Sequence, residues 1–485
     1  MKGIMIQGTS SNSGKSFIVT GLCRLFHQMG IKICPYKSQN MSNNSFVTHD
    51  GCEISIAQAV QAEAAGLKPE YFMNPILLKP NNNSSSDIIL NGKFFNKPAE
   101  KNYYKNFTQT YGIKAVKDSL NIIKNNFEAV IIEGAGSPAE INLNKYEIVN
   151  MKIARLANVP VILTADVDRG GSLAAVVGTL ELLGEDRERV KGIIFNRFRG
   201  DIDLFKPAVQ WIENYTGIKV LGVLPYVEDV SISGEDSLSI NDKKKFSKIN
   251  IGVIKYPGIS NFSDIDLFEK EPDTSITYID RLDDLNIFDA IILPGAKDTL
   301  RALHWLKSNG LFDAIKNFSG FIFGICGGFQ ILGLEVDCSE SLELLPLKTK
   351  LDGTKYTSQI SGSLYSDLSV KILGYEIHVG GSICCYDNKK YLPLFKINSQ
   401  AEGIITDDFK IAGSYVHGVF NNDRFRNKWL NRIRHEKKHG ERPIYDTSTV
   451  KNDSYNKVAE ILKNNLDINF ILELLRHEDT NFQRE

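Results

Sequence analysis

The sequence has no charge excess of either sign. Its 485 residues carry 57 Lys+Arg against 58 Asp+Glu, a formal net charge of −1. A broad nucleic-acid footprint needs a basic excess or stripe, so no nucleic-acid partner is expected. Long hydrophobic runs are missing too: none approaches the roughly 18 residues of a membrane span. Met1-Lys2-Gly3-Ile4-Met5-Ile6 runs directly into a Gly/Ser loop, without the apolar stretch of a signal peptide. A cytoplasmic protein with no membrane partner is therefore expected. Cysteine is sparse and scattered: Cys23, Cys34, Cys52, Cys326, Cys338, Cys384 and Cys385 form no Cys-x-x-Cys pair. That removes the usual zinc and thioredoxin-like patterns and leaves free thiols in a reducing compartment. Internal repeats and low-complexity segments are absent as well.

What is present is an ordinary globular composition, 42% hydrophobic and 24% charged, at a length suited to two or three domains. Short apolar runs at 4–6, 31–35, 129–132, 159–165, 192–195 and 220–224 alternate with helix-like stretches, of which 16–29 is the first. This alternation predicts a parallel sheet covered by helices. Between 231 and 250 the chain turns polar, with a lysine triplet at 243–245 that reads as solvated surface. A second alternating series follows, with strands at 251–254, 290–293 and 321–325 and Trp305 in a helix. Further short strands with glycine turns are expected over 370–416, and an amphipathic stretch over 458–475. The resulting division is 1–235, a linker 236–249, a second α/β domain 250–435, and a partly helical tail 436–485.

Two motifs carry chemistry. Gly8-Thr9-Ser10-Ser11-Asn12-Ser13-Gly14-Lys15-Ser16 lies between a strand and a helix, the context of a P-loop. Glycines there let backbone N–H groups surround phosphate oxygens, and the helix N-terminus adds positive partial charge. Lys15 is expected on the β- and γ-phosphates and Ser16 on Mg²⁺. The spacer between Gly8 and Gly14 is five residues, one more than the standard pattern. Glu133, ending the strand 129–132, is a further Mg²⁺ candidate, with Glu53 and Asp50 behind it.

The second motif is Phe321-Ile322-Phe323-Gly324-Ile325-Cys326-Gly327-Gly328, an apolar strand running into a glycine-flanked cysteine. This is the cysteine form of the nucleophile elbow, and a helix N-terminus after it favours thiolate. The base it needs is left open between two histidines, His417 in Tyr415-Val416-His417-Gly418 and His378 in Gly374-Tyr375-Glu376-Ile377-His378. Backbone N–H groups at Gly327 and in Leu293-Pro294-Gly295-Ala296 are the expected oxyanion donors.

With these strings in view, the chain resembles the cobyric acid synthase family of glutamine-dependent amidating enzymes of cobalamin synthesis. The resemblance covers residues 1 to about 435. It rests on the P-loop, whose five-residue spacer is dethiobiotin-synthetase-like, and on Lys37-Ser38-Gln39-Asn40-Met41-Ser42-Asn43-Asn44 and Met73-Asn74-Pro75-Ile76-Leu77-Leu78-Lys79-Pro80. Glu133-Gly134-Ala135-Gly136-Ser137-Pro138, Ala165-Asp166-Val167-Asp168-Arg169-Gly170, Asn196-Arg197-Phe198-Arg199, Leu293-Pro294-Gly295-Ala296, the Cys326 elbow and the His417 string add to it. The resemblance implies a P-loop synthetase domain followed by a class I glutamine amidotransferase-like domain. Cys326 attacks the glutamine amide with His417 as its partner, and ATP activates a substrate carboxylate for the released ammonia. Lys37 and Asn196 become nucleotide contacts, and Asp166, Asp168 and Arg169 phosphate or substrate contacts. The implied substrate is adenosylcobyrinic acid a,c-diamide, amidated at carboxylates b, d, e and g. Many class I glutaminases carry Glu two residues after the histidine. Here that position is Val419, so the third member of the group is not assigned. The preceding a,c-diamide synthase and, from another class, a partitioning-type ATPase switch are the rival readings.

Overall fold

The computed structural model describes residues 1–81, 85–95, 106–144, 146–227, 230, 246–282, 284–384, 386 and 389–476. The lysine triplet, most of the predicted linker and Cys385 lie outside them. The chain forms two compact units. The first comprises Met1–Ser42, Cys52–Ser233 and Val450–Glu485, and the second Asn43–Gly51 and Gly234–Thr449. Two segments thus depart from the contiguous division expected from the sequence.

The first unit is built on six parallel strands, β1 (Gly3–Gly8), β2 (Ile33–Tyr36), β3 (Ala129–Glu133), β4 (Val161–Asp166), β5 (Val190–Phe198) and β6 (Val220–Pro225). Their order is β6-β5-β4-β1-β3-β2. Both faces of the sheet are covered, so its strands are apolar throughout rather than alternating. In β1, Met5 faces one core with Val130, Ile132 and Leu163, while Ile4 and Ile6 face the other with Ile18, Leu22 and Ile131. Ile6 pairs with Glu133, which sets the P-loop strand and the acidic strand end side by side.

The helices Thr447–Asn465 and Ile468–Arg476 supply part of that second core. Val458, Ala459, Leu462, Leu466, Ile471 and Leu475 are buried, and Leu462 and Leu466 pack with Ile4, Ile6 and Leu221. A Cβ on Gly21 would lie 2.5 Å from Leu462 Cδ1, so the helix Lys15–Gln28 and the C-terminal helix are in close contact. Asp467 adds an ion pair to Lys219 at 2.6 Å. Residues 450–476 therefore form a wall of the first unit. The amphipathic stretch is legible in sequence, but the face it covers is not.

In the second unit the sheet runs through β7 (Ile249–Ile254), β8 (Thr274–Ile279), β9 (Ala290–Leu293), β10 (Phe321–Ile325), β11 (Leu347–Leu364), β12 (Asp367–Cys384), β13 (Tyr391–Ile397), β14 (Gln400–Thr406) and β15 (Ile411–Ser414). The order is β8-β7-β9-β10-β15-β14-β13-β11, with β12 paired to β11. The segment β8-β7-β9-β10-β15 is parallel, and the other pairings among these nine strands are antiparallel.

The short strands and glycine turns expected over 370–416 are replaced at their start by a long hairpin of two 18-residue strands. Three of the glycines inside these strands, Gly362, Gly374 and Gly380, sit where another backbone passes close by. A Cβ on Gly374 would lie 2.4 Å from His417 O, and one on Gly362 2.5 Å from Lys396 O. Gly380 marks a bulge, with φ +75° and the Lys350 carbonyl 2.2 Å from its would-be Cβ.

Candidate active site

The P-loop leaves β1 at Gly8 and enters the helix Lys15–Gln28. Its glycines are required by space and by backbone angle. A Cβ on Gly8 would lie 2.1 Å from Ser13 Oγ, and Gly14 has φ +95° with Asn196 Nδ2 only 1.8 Å from its would-be Cβ. Lys15 Nζ donates to Ser10 O at 3.0 Å and Gly136 O at 3.1 Å, so the ammonium lies within the curl of the loop. The Ser13 hydroxyl is buried there with no hydrogen-bond partner among the described residues, as suits a loop shaped for oxygen ligands.

Ser16 Oγ donates to Glu133 Oε1 at 2.8 Å. Lys37 Nζ sits 3.0 Å from the same oxygen, and both side chains of that ion pair are buried. A hydroxyl and a carboxylate beside a phosphate loop are the hard oxygens that Mg²⁺ takes, so these residues fit the ion. Glu53 is engaged by Lys79 at 2.6 Å. Asp50 belongs to the second unit, where it accepts from the Thr48 hydroxyl. Asn196 braces the loop by donating to Ser13 O at 3.1 Å, while its own Oδ1 accepts from the Arg197 N–H. At the end of β4, Asp166 pairs with Arg197 at 2.9 Å and Arg169 at 3.7 Å, and Asp168 with Arg199 at 2.9 Å.

In the second unit, the parallel neighbours β10 and β15 end together. Ile325 pairs with Ser414, and the Cys326 N–H donates to Ser414 O at 2.8 Å. Cys326 follows one strand directly and His417 follows the other by three residues. Cys326 has φ +53°, the strained turn of a nucleophile elbow. Each flanking glycine has a spatial reason. Would-be Cβ atoms would lie 2.8 Å from Gly328 O at Gly324, 2.7 Å from Ala296 N at Gly327, and 1.9 Å from Leu293 O at Gly328. The third contact has no room for any side chain. Ala296 N thus lies beside Gly327, while Gly295 packs against the His417 ring, its would-be Cβ 3.0 Å from Cε1. Of the two residues, Ala296 is the one whose N–H stands next to the elbow.

His417, not His378, meets the cysteine. The Cys326 sulfur acts electrostatically on the His417 imidazole. His378 is sandwiched between Tyr356 and Tyr415, with ring centroids 5.0 and 3.9 Å away, and its Nδ1 lies 2.9 Å from Gly380 O. The Cys326 Sγ also donates to Ile377 O at 3.3 Å.

No third member is assigned from the sequence; in the structure the imidazole meets Asp264. It lies on the 3₁₀ helix Phe262–Lys270, four residues after β-bridged Ser260 and three after the left-handed Asn261 (φ +52°). Asp264 Oδ2 is 2.7 Å from His417 Nδ1, and Oδ1 accepts the Gly418 N–H at 2.7 Å. With Nδ1 committed to Asp264, Nε2 is the nitrogen left for Cys326. Burial by itself lowers the His417 pKa, but the Asp264 carboxylate and the Cys326 sulfur outweigh it and push it up to about 10. Nothing in Phe262-Ser263-Asp264-Ile265-Asp266 distinguishes Asp264 from Asp266 without the fold.

Residues 4–240 match the family model of the CobQ/CobB/MinD/ParA nucleotide binding domain, and residues 250–425 that of the CobB/CobQ-like glutamine amidotransferase domain. A phosphate loop and a Cys–His–Asp elbow carried on one chain define a glutamine-dependent amidotransferase of the ligase type that uses ATP. The chain is 43% identical to the cobyric acid synthase of Geobacillus sp. (strain WCH70), with 97% of each chain covered. It is 40% identical to that of Clostridium acetobutylicum, over 98% of this chain and 99% of that one. Against the probable cobyric acid synthase of Methanothermobacter thermautotrophicus it is 42% identical, over 98% and 99%. The chain belongs to the cobyric acid synthase family.

Proposed function

We propose that the chain amidates carboxylates b, d, e and g of adenosylcobyrinic acid a,c-diamide in the cytoplasm, spending one ATP and one glutamine on each. The observation that carries this reading is the Cys326–His417–Asp264 arrangement on the same chain as the Lys15, Ser16 and Glu133 cluster. Cys326 attacks the glutamine amide carbon, and the N–H groups of Gly327 and Ala296 hold the developing oxyanion. His417 delivers its proton to the departing ammonia, and water then hydrolyses the glutamyl thioester. Asp264 keeps the imidazole oriented and its charge compensated.

In the other unit, Lys15 and the P-loop N–H groups bind the phosphates of ATP, and Ser16 and Glu133 hold Mg²⁺. An ion held there would supply charge neutralisation at the transferring phosphoryl group. Lys37 fixes the Glu133 carboxylate, and Asn196 fixes the loop. A carboxylate anion is a poor electrophile; as an acyl phosphate it accepts ammonia and releases phosphate.

The test is substrate discrimination with the purified protein, ATP, Mg²⁺ and glutamine. Mass spectrometry should count four added amides on the a,c-diamide and none on cobyrinic acid. Two additions to cobyrinic acid would instead identify an a,c-diamide synthase.

A further inference from the structure

The string Gln39-Asn40-Met41-Ser42-Asn43-Asn44, which is part of the family resemblance, has no role in the chemistry above. Its last two residues leave the first unit. Asn43–Gly51 belongs to the second unit, and the chain returns to the first at Cys52. Residues 43–47 of this segment are fastened to the neighbours of the His417–Asp264 pair. Asn261 N–H donates to Asn43 O at 3.4 Å, and Ser263 Oγ donates to Asn44 Oδ1 at 2.9 Å. Asn261 Nδ2 donates to Ser45 O at 2.8 Å and to Tyr375 Oη at 3.1 Å, and Tyr375 Oη donates to Ser45 O at 3.0 Å. Asn261 and Ser263 open the 3₁₀ turn that carries Asp264, whose N–H donates to Asn261 O at 3.0 Å.

Tyr375 reaches the same centre from the other side. Its ring stacks on the His417 imidazole, centroids 5.5 Å apart, and the two backbones exchange hydrogen bonds of 2.8 and 3.1 Å. Val47 packs in a small core with Tyr375 and Ile377, and its carbonyl accepts from Gln359. Ile377 is the residue whose carbonyl receives the Cys326 thiol. The acid, the imidazole and the acceptor of the thiol are thus each one contact away from a segment of the N-terminal sequence.

We propose that residues 43–47 are a positioning element of the glutaminase centre, holding Asp264 and Tyr375 so that His417 stays aligned with Cys326. Glutamine hydrolysis then depends on a segment that the sequence places in the synthetase half. Catalytic geometry tolerates little displacement, so loosening this segment lowers turnover more than substrate binding.

The inference rests on the proposed glutaminase chemistry, and full-length Cys326→Ala keeps the two separable. If that variant still hydrolyses glutamine, the glutaminase assignment itself fails. Asn44→Ala removes the acceptor for Ser263, and Tyr375→Phe removes the bond to Ser45 while keeping the ring stack. In each, glutamine hydrolysis should fall by about tenfold to hundredfold in kcat, with KM for glutamine changed less than about twofold. The alkaline limb of the kcat profile should move to lower pH as the imidazole loses its carboxylate. Ammonium-dependent amidation should remain at the wild-type rate. Asn44→Asp, which retains an acceptor oxygen, should recover most of the loss. Asn44→Ala combined with Ser263→Ala should lose no more than Asn44→Ala alone, because the first change has already removed the bond that the second deletes. Wild-type kcat and pH profile in Asn44→Ala and Tyr375→Phe would overturn the proposal. So would a parallel fall in glutamine- and ammonium-dependent rates that Asn44→Asp does not restore.

Discussion

Asp264 Oδ2 lies 2.7 Å from His417 Nδ1, with both side chains almost wholly buried. The carboxylate comes from a turn that precedes the histidine by more than 150 residues, and its second oxygen is held by the Gly418 N–H at 2.7 Å. A buried ion pair is costly to break from one side because the remaining charge has no partner.

Asp264→Asn should therefore lower glutamine hydrolysis by up to about 10⁴ in kcat, the loss seen when a triad acid is neutralised. Ammonium-dependent amidation provides the internal reference and should be spared.

The same pair sets a pH dependence of stability. His417 has its pKa raised to about 10 in the folded chain against an ordinary 6.5. Its stabilising contribution is thus complete below about pH 6.5 and lost as pH rises towards 10. Denaturant unfolding between pH 6 and 10 should show a decline in wild type that is flattened in Asp264→Asn.

The two proposed chemistries should separate by mutation. Cys326→Ala should abolish amidation from glutamine and leave amidation from ammonium. Lys15→Ala should abolish both and retain some glutamine hydrolysis. Wild-type ammonium-dependent product from Lys15→Ala would refute the P-loop assignment.

At the elbow, Gly328→Ala puts a methyl group 1.9 Å from the Leu293 carbonyl. Backbone must shift, at a cost of about 1–3 kcal/mol or more, so this variant should lose glutamine hydrolysis and melt earlier. Calorimetry and a glutaminase assay measure the two effects.

Leu462 is fully buried against the first unit's core. Leu462→Ala should destabilise the protein by about 2–5 kcal/mol, and removing the chain from Val450 onward should leave that core exposed and the product insoluble. A soluble truncated protein with an unchanged melting temperature would contradict the packing role of these helices.

The P-loop and the cysteine elbow were legible because each is local. A strand, glycines and a helix lie within about ten residues, and the contacts at Gly8, Gly14, Gly324, Gly327 and Gly328 show why no side chain fits there. The core strands were legible for a similar reason, since burial on both faces makes each a short apolar run. The glycines of the β11–β12 hairpin misled because a glycine forced by an approaching backbone and a glycine in a turn are the same letter.

The sequence by itself determined where the local motifs fall, and with them the side chains to which reactive chemistry is assigned under the proposed function: the thiol of Cys326, the ammonium of Lys15 and the carboxylate of Glu133. Only the tertiary structure decided what stands beside them. It selected His417 over His378, brought Asp264 to the imidazole, joined residues 43–47 to that turn, and closed the first unit with helices from the end of the chain. The physical reason is range. Strand, loop and elbow are imposed by neighbours along the chain, whereas an ion pair or a packed wall forms between segments that meet only when the sheets assemble.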